Sequence, residues 1–283
     1  MADTLMIRTP AKVNLTLEVL GKRTDGFHEI RSVIQSVDFY DTLFFTPADG
    51  LIIRCDMPGW NAENSLVNRA ADLIGEKADG AKGVRIDIIK RIPLMAGLGG
   101  DSTDAAAILR GLNEIRGLGL SPDKLSAIAA ELGSDVPFFL QGGTALATGR
   151  GEGITALPSL PQMWMVLVVP DVPASVDKTA RMYQSLTEAH YTDGKITERL
   201  VDVIRGKGRF STALLFNTFE NIAFQDSPIR TYKEHLDKLG APDVHLAGSG
   251  PTLFTVFDDK TQADDLYNRC KDQGMRVYLV KTL

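Results

Sequence analysis

Lys90-Arg-Ile-Pro-Leu-Met-Ala-Gly-Leu-Gly-Gly-Asp-Ser-Thr-Asp-Ala-Ala-Ala107 joins a strand to a helix through glycines. Upstream, Val84, Ile86 and Ile88 alternate as in a strand; downstream, Ala105, Ile108, Leu109, Leu112 and Ile115 recur at helical spacing. The glycines therefore fall at a helix N-terminus, where several backbone amides lack intrahelical acceptors and the dipole is positive. A di- or triphosphate can replace water there, and Gly97, Gly99 and Gly100 let it approach the main chain closely. The spacing matches neither of the two commonest phosphate loops: no Gly-Lys-Ser/Thr follows, and Ser102 stands where a dinucleotide fingerprint has its third glycine. Alone, the segment reads equally well as an ordinary glycine-rich turn.

The chain of 283 residues suffices for one large domain or two modest ones, and its 44% hydrophobic content supports a substantial core. A formal charge of −5 without runs of like charge lacks the footprint of a nucleic-acid binder. The N-terminus has no apolar signal region, and no run of about eighteen apolar residues occurs, so a soluble cytoplasmic protein without a membrane partner is expected. Cys55 and Cys270 show neither Cys-x-x-Cys nor Cys/His spacing and read as buried free thiols.

Lys12 to Leu20 alternates as a strand with Val13, Leu15, Leu17 and Val19 on a buried face and Lys12, Asn14, Thr16 and Glu18 on a polar one. A second β stretch covers Ser32 to Thr46, and the loop between them carries Phe27 and His28. A helix begins at Asn64 with Leu66, Ala70, Leu73 and Ile74 as its stripe. Ser121-Pro122 opens another helix and Gly133 closes it, directly before Ser134-Asp135-Val136-Pro137. The Pro- and Leu-rich segment from Leu157 to Gln162 sets a boundary between two lobes, 1–156 and 157–283. In the second lobe, strands at Trp164–Val169, Val244–Leu246, Leu253–Phe257 and Met275–Val280 alternate with helices from Ser227-Pro228 and over Ala263–Cys270. That order predicts an α+β lobe, an antiparallel sheet covered on one face as in split βαβ folds.

Three segments stand out together: Pro10-Ala-Lys-Val-Asn14, the glycine loop, and Leu246-Ala-Gly-Ser-Gly-Pro251. In order and spacing the chain resembles the GHMP kinase superfamily from about Pro10 to Phe257. Arg23-Thr-Asp-Gly-Phe-His28, Gly133-Ser-Asp-Val-Pro-Phe138 and Gly149-Arg-Gly-Glu152 are similar to the branch that phosphorylates a cytidine diphosphate-linked methylerythritol. The resemblance implies a two-lobed α+β fold with an N-terminal ribosomal-S5-like nucleotide lobe and a C-terminal ferredoxin-like lobe. It also implies ATP with Mg²⁺, a small-molecule alcohol as acceptor, and a monomer or homodimer. The nucleotide loop does not separate this branch from homoserine or mevalonate kinases, nor from a relative that binds ligand without turnover; the Asp-Gly-Phe-His loop favours a substrate bearing a base.

Residue by residue, the resemblance implies Asp135 as general base, with Lys12 orienting it and lowering the pKa of the acceptor hydroxyl. Outside the motif, Asp135 would read as a cap of the next helix and Lys12 as a solvated strand lysine. Asn14 is implied to bind substrate, Phe27 and His28 to hold cytosine by stacking and hydrogen bonding, and Tyr183 to supply the opposite stacking face. The nucleotide side comprises Asn64, Ser65, Leu66, Lys90, Pro93, Leu94, Met95, Ala96, Gly97, Leu98, Gly99, Gly100, Asp101, Ser102 and Thr103. Three residues depart from the pattern: Phe27 replaces the usual tyrosine, and Asp101 and Thr103 stand where glycine and serine are usual. A carboxylate in the first turn of a phosphate-binding helix would repel the nucleotide, so Asp101 is expected to turn outward to solvent, the alternative being a Mg²⁺ ligand.

Overall fold

Two strands longer than the periodicity predicts begin the chain, β1 (Leu5–Lys22) and β2 (His28–Ala48). The structure, a computed structural model, describes residues 4–61, 63, 65–75, 83–173, 177–225 and 227–283. Both strands contribute to two units, one of Met1–Ala11, Phe39–Leu94 and Gly99–Gly142, the other of Lys12–Asp38, Met95–Leu98 and Gly143–Leu283.

In the first unit, residues 42–48 of β2 pair antiparallel with β4 (Gly83–Ile89), which carries β3 (Leu51–Cys55) parallel on its other edge. The expected strand–loop–helix unit is therefore present, with β4 leading to α2 (Gly100–Ile115). Ala105, Ala106 and Ala107 are buried, and a Cβ on Gly111 would stand 2.3 Å from the Phe45 ring. Small side chains are thus what let the helix lie close on the sheet. Around α2 pack α1 (Leu66–Gly75) and α4 (Val136–Gln141), with α3 (Pro122–Leu132) against both. Asn64, the expected start of α1, lies outside the described residues; the buried stripe of α1 is Val67, Ala70, Ala71 and Ile74, with Leu66 and Leu73 only half-buried. Ser121 caps α3 by accepting from the Lys124 amide, and Gly133 ends it, as expected.

In the second unit, residues 30–35 of β2 pair antiparallel with β5 (Thr144–Gly149), which continues to β6 (Gly153–Ala156), while β8 (Phe216–Asn217) runs parallel to β1. A separate sheet of β7 (Trp164–Val168), β9 (His245–Leu246), β10 (Leu253–Phe257) and β11 (Val277–Lys281) has the order β11-β7-β10-β9, antiparallel throughout. This is the ferredoxin-like order, and α9 (Lys260–Asp272) packs on β7, β10 and β11. Between β7 and β9 lie α5 (Lys178–Gln184), α6 (Lys195–Ile204), α7 (Glu220–Ala223) and α8 (Pro228–Lys238). Val166, Leu246, Leu253, Leu266 and Cys270 form the heart of this core. Both cysteines are free thiols; Cys270 is buried as expected, but Cys55 is only half-buried.

One expectation about β1 changes. Its polar face is buried as thoroughly as its apolar one, every residue from Ala11 to Val19 being enclosed. Alternation reports polarity, not exposure: most of these buried polar atoms are hydrogen-bonded, while Glu18 Oε1 has no partner among the described residues. Lys12 Nζ donates to Asn14 Oδ1 (2.8 Å), Asn14 Nδ2 to Ser32 Oγ (2.8 Å), and Thr197 Oγ1 to Thr16 Oγ1 (2.9 Å), while Glu18 accepts the Thr197 amide (2.6 Å).

Candidate active site

The glycine loop has its own dihedral signature. Met95, Gly97 and Gly99 have φ of 51°, 81° and 74°, alternating with residues of negative φ. Such alternation turns successive amides to one side, making an anion-binding concavity. Gly99 is the N-cap of α2 and no side chain caps that helix, so its first amides retain their capacity to receive an acceptor. Gly100, Pro93 and Thr103 are buried, Ser102 is half-buried, and Leu94 and Met95 are exposed.

In the second unit, Met95–Leu98 is sewn onto the turn between β9 and β10. Lys12 N–H donates to the Leu98 carbonyl (3.0 Å), and Thr252 N–H to that of Ala96 (3.3 Å). A Cβ on Gly97 would stand 2.3 Å from the Ala247 carbonyl oxygen, so only glycine fits. The Gly248-Ser-Gly250 turn thus supports the glycine loop through backbone. Lys12 and Asn14, already joined, border the same turn: a Cβ on Gly248 would lie 3.3 Å from Lys12 Nζ and 3.6 Å from Asn14 Oδ1.

In the first unit, Asp101 does not turn to solvent. Its carboxylate accepts the Ser65 hydroxyl (2.8 Å) and the Leu66 amide (2.9 Å), and so caps α1, a neighbour of its own helix. The α1 N-terminus is itself a positive end, and it competes successfully with water for the charge. Ser65, expected on the nucleotide side, spends its hydroxyl proton here and accepts from the Val67 amide (3.1 Å).

Lys90 is also placed otherwise than expected. Its ammonium is fully enclosed, 2.6 Å from both Asp41 and Asp104, so its charge is already matched by two carboxylates and is not offered to a nucleotide. Asp104 is further held by Thr9 Oγ1 (2.9 Å), and Asp41 Oδ1 accepts the Ile92 amide (2.7 Å). The cluster fastens the chain where it enters the glycine loop. Burial lowers the Lys90 pKa, but Asp104 and Asp41 together overcome this and hold it above its ordinary value. Burial pushes Asp104 up to about 7, opposed by Lys90 and reinforced by Asp41. Asp41, Asp104 and Thr9 had no signal in the sequence beyond being polar residues in apolar surroundings.

Asp135 is the N-cap residue of α4, yet its side chain makes no capping hydrogen bond, so its carboxylate is not explained by helix capping. His28 and Tyr183 are brought together in the second unit, their rings stacked at 4.9 Å and 19°. Tyr191 meets His28 edge-on at 6.0 Å, and Phe219 meets Tyr183 edge-on at 4.9 Å. Burial, with a lesser contribution from Lys22, lowers the His28 pKa, leaving a neutral ring with one donor and one acceptor nitrogen at pH 7. Phe27 does not join this stack; it is 52% exposed with the Arg150 guanidinium 4.8 Å above its ring. Arg150 lies in the Gly-Arg-Gly-Glu segment already noted, whereas Tyr191 belongs to no motif.

Among the described residues no helix is long and apolar enough to cross a membrane, and no group of three or more His, Cys, Asp or Glu could hold a metal unaided.

The GHMP kinases N terminal domain matches residues 65–143, and the GHMP kinases C terminal domain matches residues 216–274. A 4-diphosphocytidyl-2-C-methyl-D-erythritol kinase of Dehalococcoides mccartyi is 48% identical over 281 residues, covering 99% of this chain and 98% of that protein. One of Enterococcus faecalis is 41% identical over 282 residues, covering 98% of each. The crystal structure of a 4-(cytidine 5'-diphospho)-2C-methyl-D-erythritol kinase superposes with a TM-score of 0.82 at 30% identity, covering 98% of this chain and 99% of that one. A homoserine kinase from Cytophaga hutchinsonii shares the fold, with a TM-score of 0.75 at 18% identity over 100% of this chain and 95% of that one. With the nucleotide-loop geometry and near-complete coverage at up to 48% identity in agreement, the chain is a phosphotransferase that belongs to the 4-diphosphocytidyl-2-C-methyl-D-erythritol kinases of the GHMP kinase family.

Proposed function

We propose that the chain transfers the γ-phosphoryl group of ATP to the 2-hydroxyl of 4-diphosphocytidyl-2-C-methyl-D-erythritol. The observation that carries the substrate reading is the His28–Tyr183 stack, an aromatic, neutral and partly open platform suited to a nucleobase, in the same unit as Lys12 and Asn14. Phosphoryl transfer asks the protein mainly to position reactants and stabilise charge on the transferring oxygens. Asp135, the N-cap residue of α4, is the general base in this reading. Lys12 supplies positive charge at the acceptor, and Asn14, fixed between Lys12 and Ser32, binds substrate.

The backbone from Pro93 to Thr103 holds the triphosphate, with Asn64 to Leu66 on its adenine side, and Lys90 acts through the loop it fastens. Mg²⁺ accompanies ATP, held chiefly by phosphate oxygens and water. In functional terms residues 1–156 form the nucleotide lobe and 157–283 the substrate lobe, a division supported by family matches that fall on either side of residue 156. We place the enzyme in the cytoplasm, as a monomer or homodimer working on a small molecule without nucleic-acid or membrane partners.

The test is phosphorylation by purified protein with ATP and Mg²⁺ of the cytidine-linked alcohol, homoserine and mevalonate in parallel. Turnover of the first alone is expected. Turnover of homoserine or mevalonate in its place would reassign the chain to another branch.

A further inference from the structure

Lys178 opens α5 with its ammonium buried and without a hydrogen-bond partner among the described residues. A desolvated cation without a counter-charge opposes folding, and burial alone lowers its pKa to about 8. Its surroundings are specific. A Cβ on Gly250 would stand 3.3 Å from Lys178 Nζ, and the next residue, Thr179, shares a 2.8 Å hydrogen bond with Ser249. The ammonium thus lies against the Gly250 side of the β9–β10 turn, whose Gly248 side borders Lys12. Thr252, at the end of that turn, holds a second buried polar atom without a partner among the described residues.

The same helix carries Tyr183, five residues on and about 7.5 Å along the axis. One end of α5 therefore meets the His28 platform and the other meets the turn beside Lys12. A nucleoside diphosphate-linked alcohol with its base at His28–Tyr183 and its hydroxyl near Lys12 must pass its diphosphate between the two.

We propose that Lys178 is a binding residue for the diphosphate of the acceptor substrate, its ammonium completing an anion site on the Gly248-Ser-Gly250 turn that discriminates nucleoside diphosphate-linked alcohols from uncharged ones. The inference rests on the substrate reading above. The anion supplies the missing partner.

The experiment is calorimetric titration of the full-length protein with CDP and with cytidine, for the wild type, Lys178→Met and Lys178→Arg, together with the KM for ATP. The wild type should prefer CDP. In Lys178→Met, affinity for CDP should fall about 10- to 100-fold, the range of a charge-assisted hydrogen bond, while affinity for cytidine and the KM for ATP stay unchanged. Lys178→Arg should recover part of the loss. Because methionine keeps the length of the chain and removes an unpaired charge, Lys178→Met should melt no lower than the wild type, and Lys178→Gln provides a second variant if it does. An undiminished preference for CDP in Lys178→Met, or a loss confined to ATP, would overturn the role of Lys178. A wild type that binds CDP no better than cytidine would overturn the substrate reading as well.

Discussion

Ser65 donates its hydroxyl proton to Asp101 across 2.8 Å, and the same carboxylate accepts the Leu66 amide at 2.9 Å, so a residue in the first turn of α2 caps α1. The charge that would have opposed a phosphate at α2 is committed to the positive end of a different helix. Asp101→Gly should therefore lower stability by about 1–2 kcal/mol, as for a lost N-cap, read from the urea midpoint. Its KM for ATP should change by less than about threefold, since the carboxylate is already hydrogen-bonded at the positive end of α1. A large fall in that KM would show that the carboxylate repels nucleotide after all.

The buried cluster of Lys90, Asp41 and Asp104 sets two carboxylates against one ammonium. Asp104 holds its proton up to about pH 7, against an ordinary 3.8, so the folded chain binds that proton more tightly than the unfolded one. Unfolding releases it, and stability contributed by Asp104 falls as pH rises between those two values, then levels off. Lys90 is charged throughout this window and adds no slope. Subtracting the urea-midpoint profile of Asp104→Asn from that of the wild type should isolate this decline. Lys90→Met should cost about 3–5 kcal/mol at neutral pH, because it strands both carboxylates.

Gly97→Ala should destabilise by more than a positive φ alone requires. Its Cβ would meet the Ala247 carbonyl at 2.3 Å, whereas Gly117, with φ 63°, has open space around the corresponding position. Gly117→Ala should cost about 1–2 kcal/mol for its backbone conformation, and Gly97→Ala clearly more, with a raised KM for ATP. Equal costs, measured by denaturant unfolding, would mean that the loop yields freely at Gly97.

Asp135→Asn keeps the shape of the side chain and removes its basicity. Turnover should fall by roughly 10²- to 10⁴-fold with the KM for ATP little changed. Steady-state kinetics at saturating acceptor decide this, and near-normal turnover would remove Asp135 from the chemistry.

The local architecture was legible because its causes are local. Alternation marked the strands, i, i+3, i+4 spacing marked α2 and α9, Ser121-Pro122 and Gly133 marked the ends of α3, and the order of elements after Trp164 pointed to an antiparallel sheet of the split βαβ kind. The candidate site residues of the Pro-Ala-Lys-x-Asn strand and the glycine loop stood out as motifs. What failed to show were destinations of charge: the exit of Asp101 to α1, the enclosure of Lys90, the burial of the Lys178 ammonium without a partner among the described residues, and the burial of the polar face of β1.

The sequence by itself determined where the chain extends, coils and turns, since those choices follow from side-chain period and backbone freedom within a few residues. Only the tertiary structure decided which ions meet and which rings stack. Asp41 reaches Lys90, and His28 reaches Tyr183, across stretches of chain that no short-range pattern spans. An ion pair or a stack depends on a distance of a few ångströms in space, and that distance exists only after the strands and helices between the partners have packed.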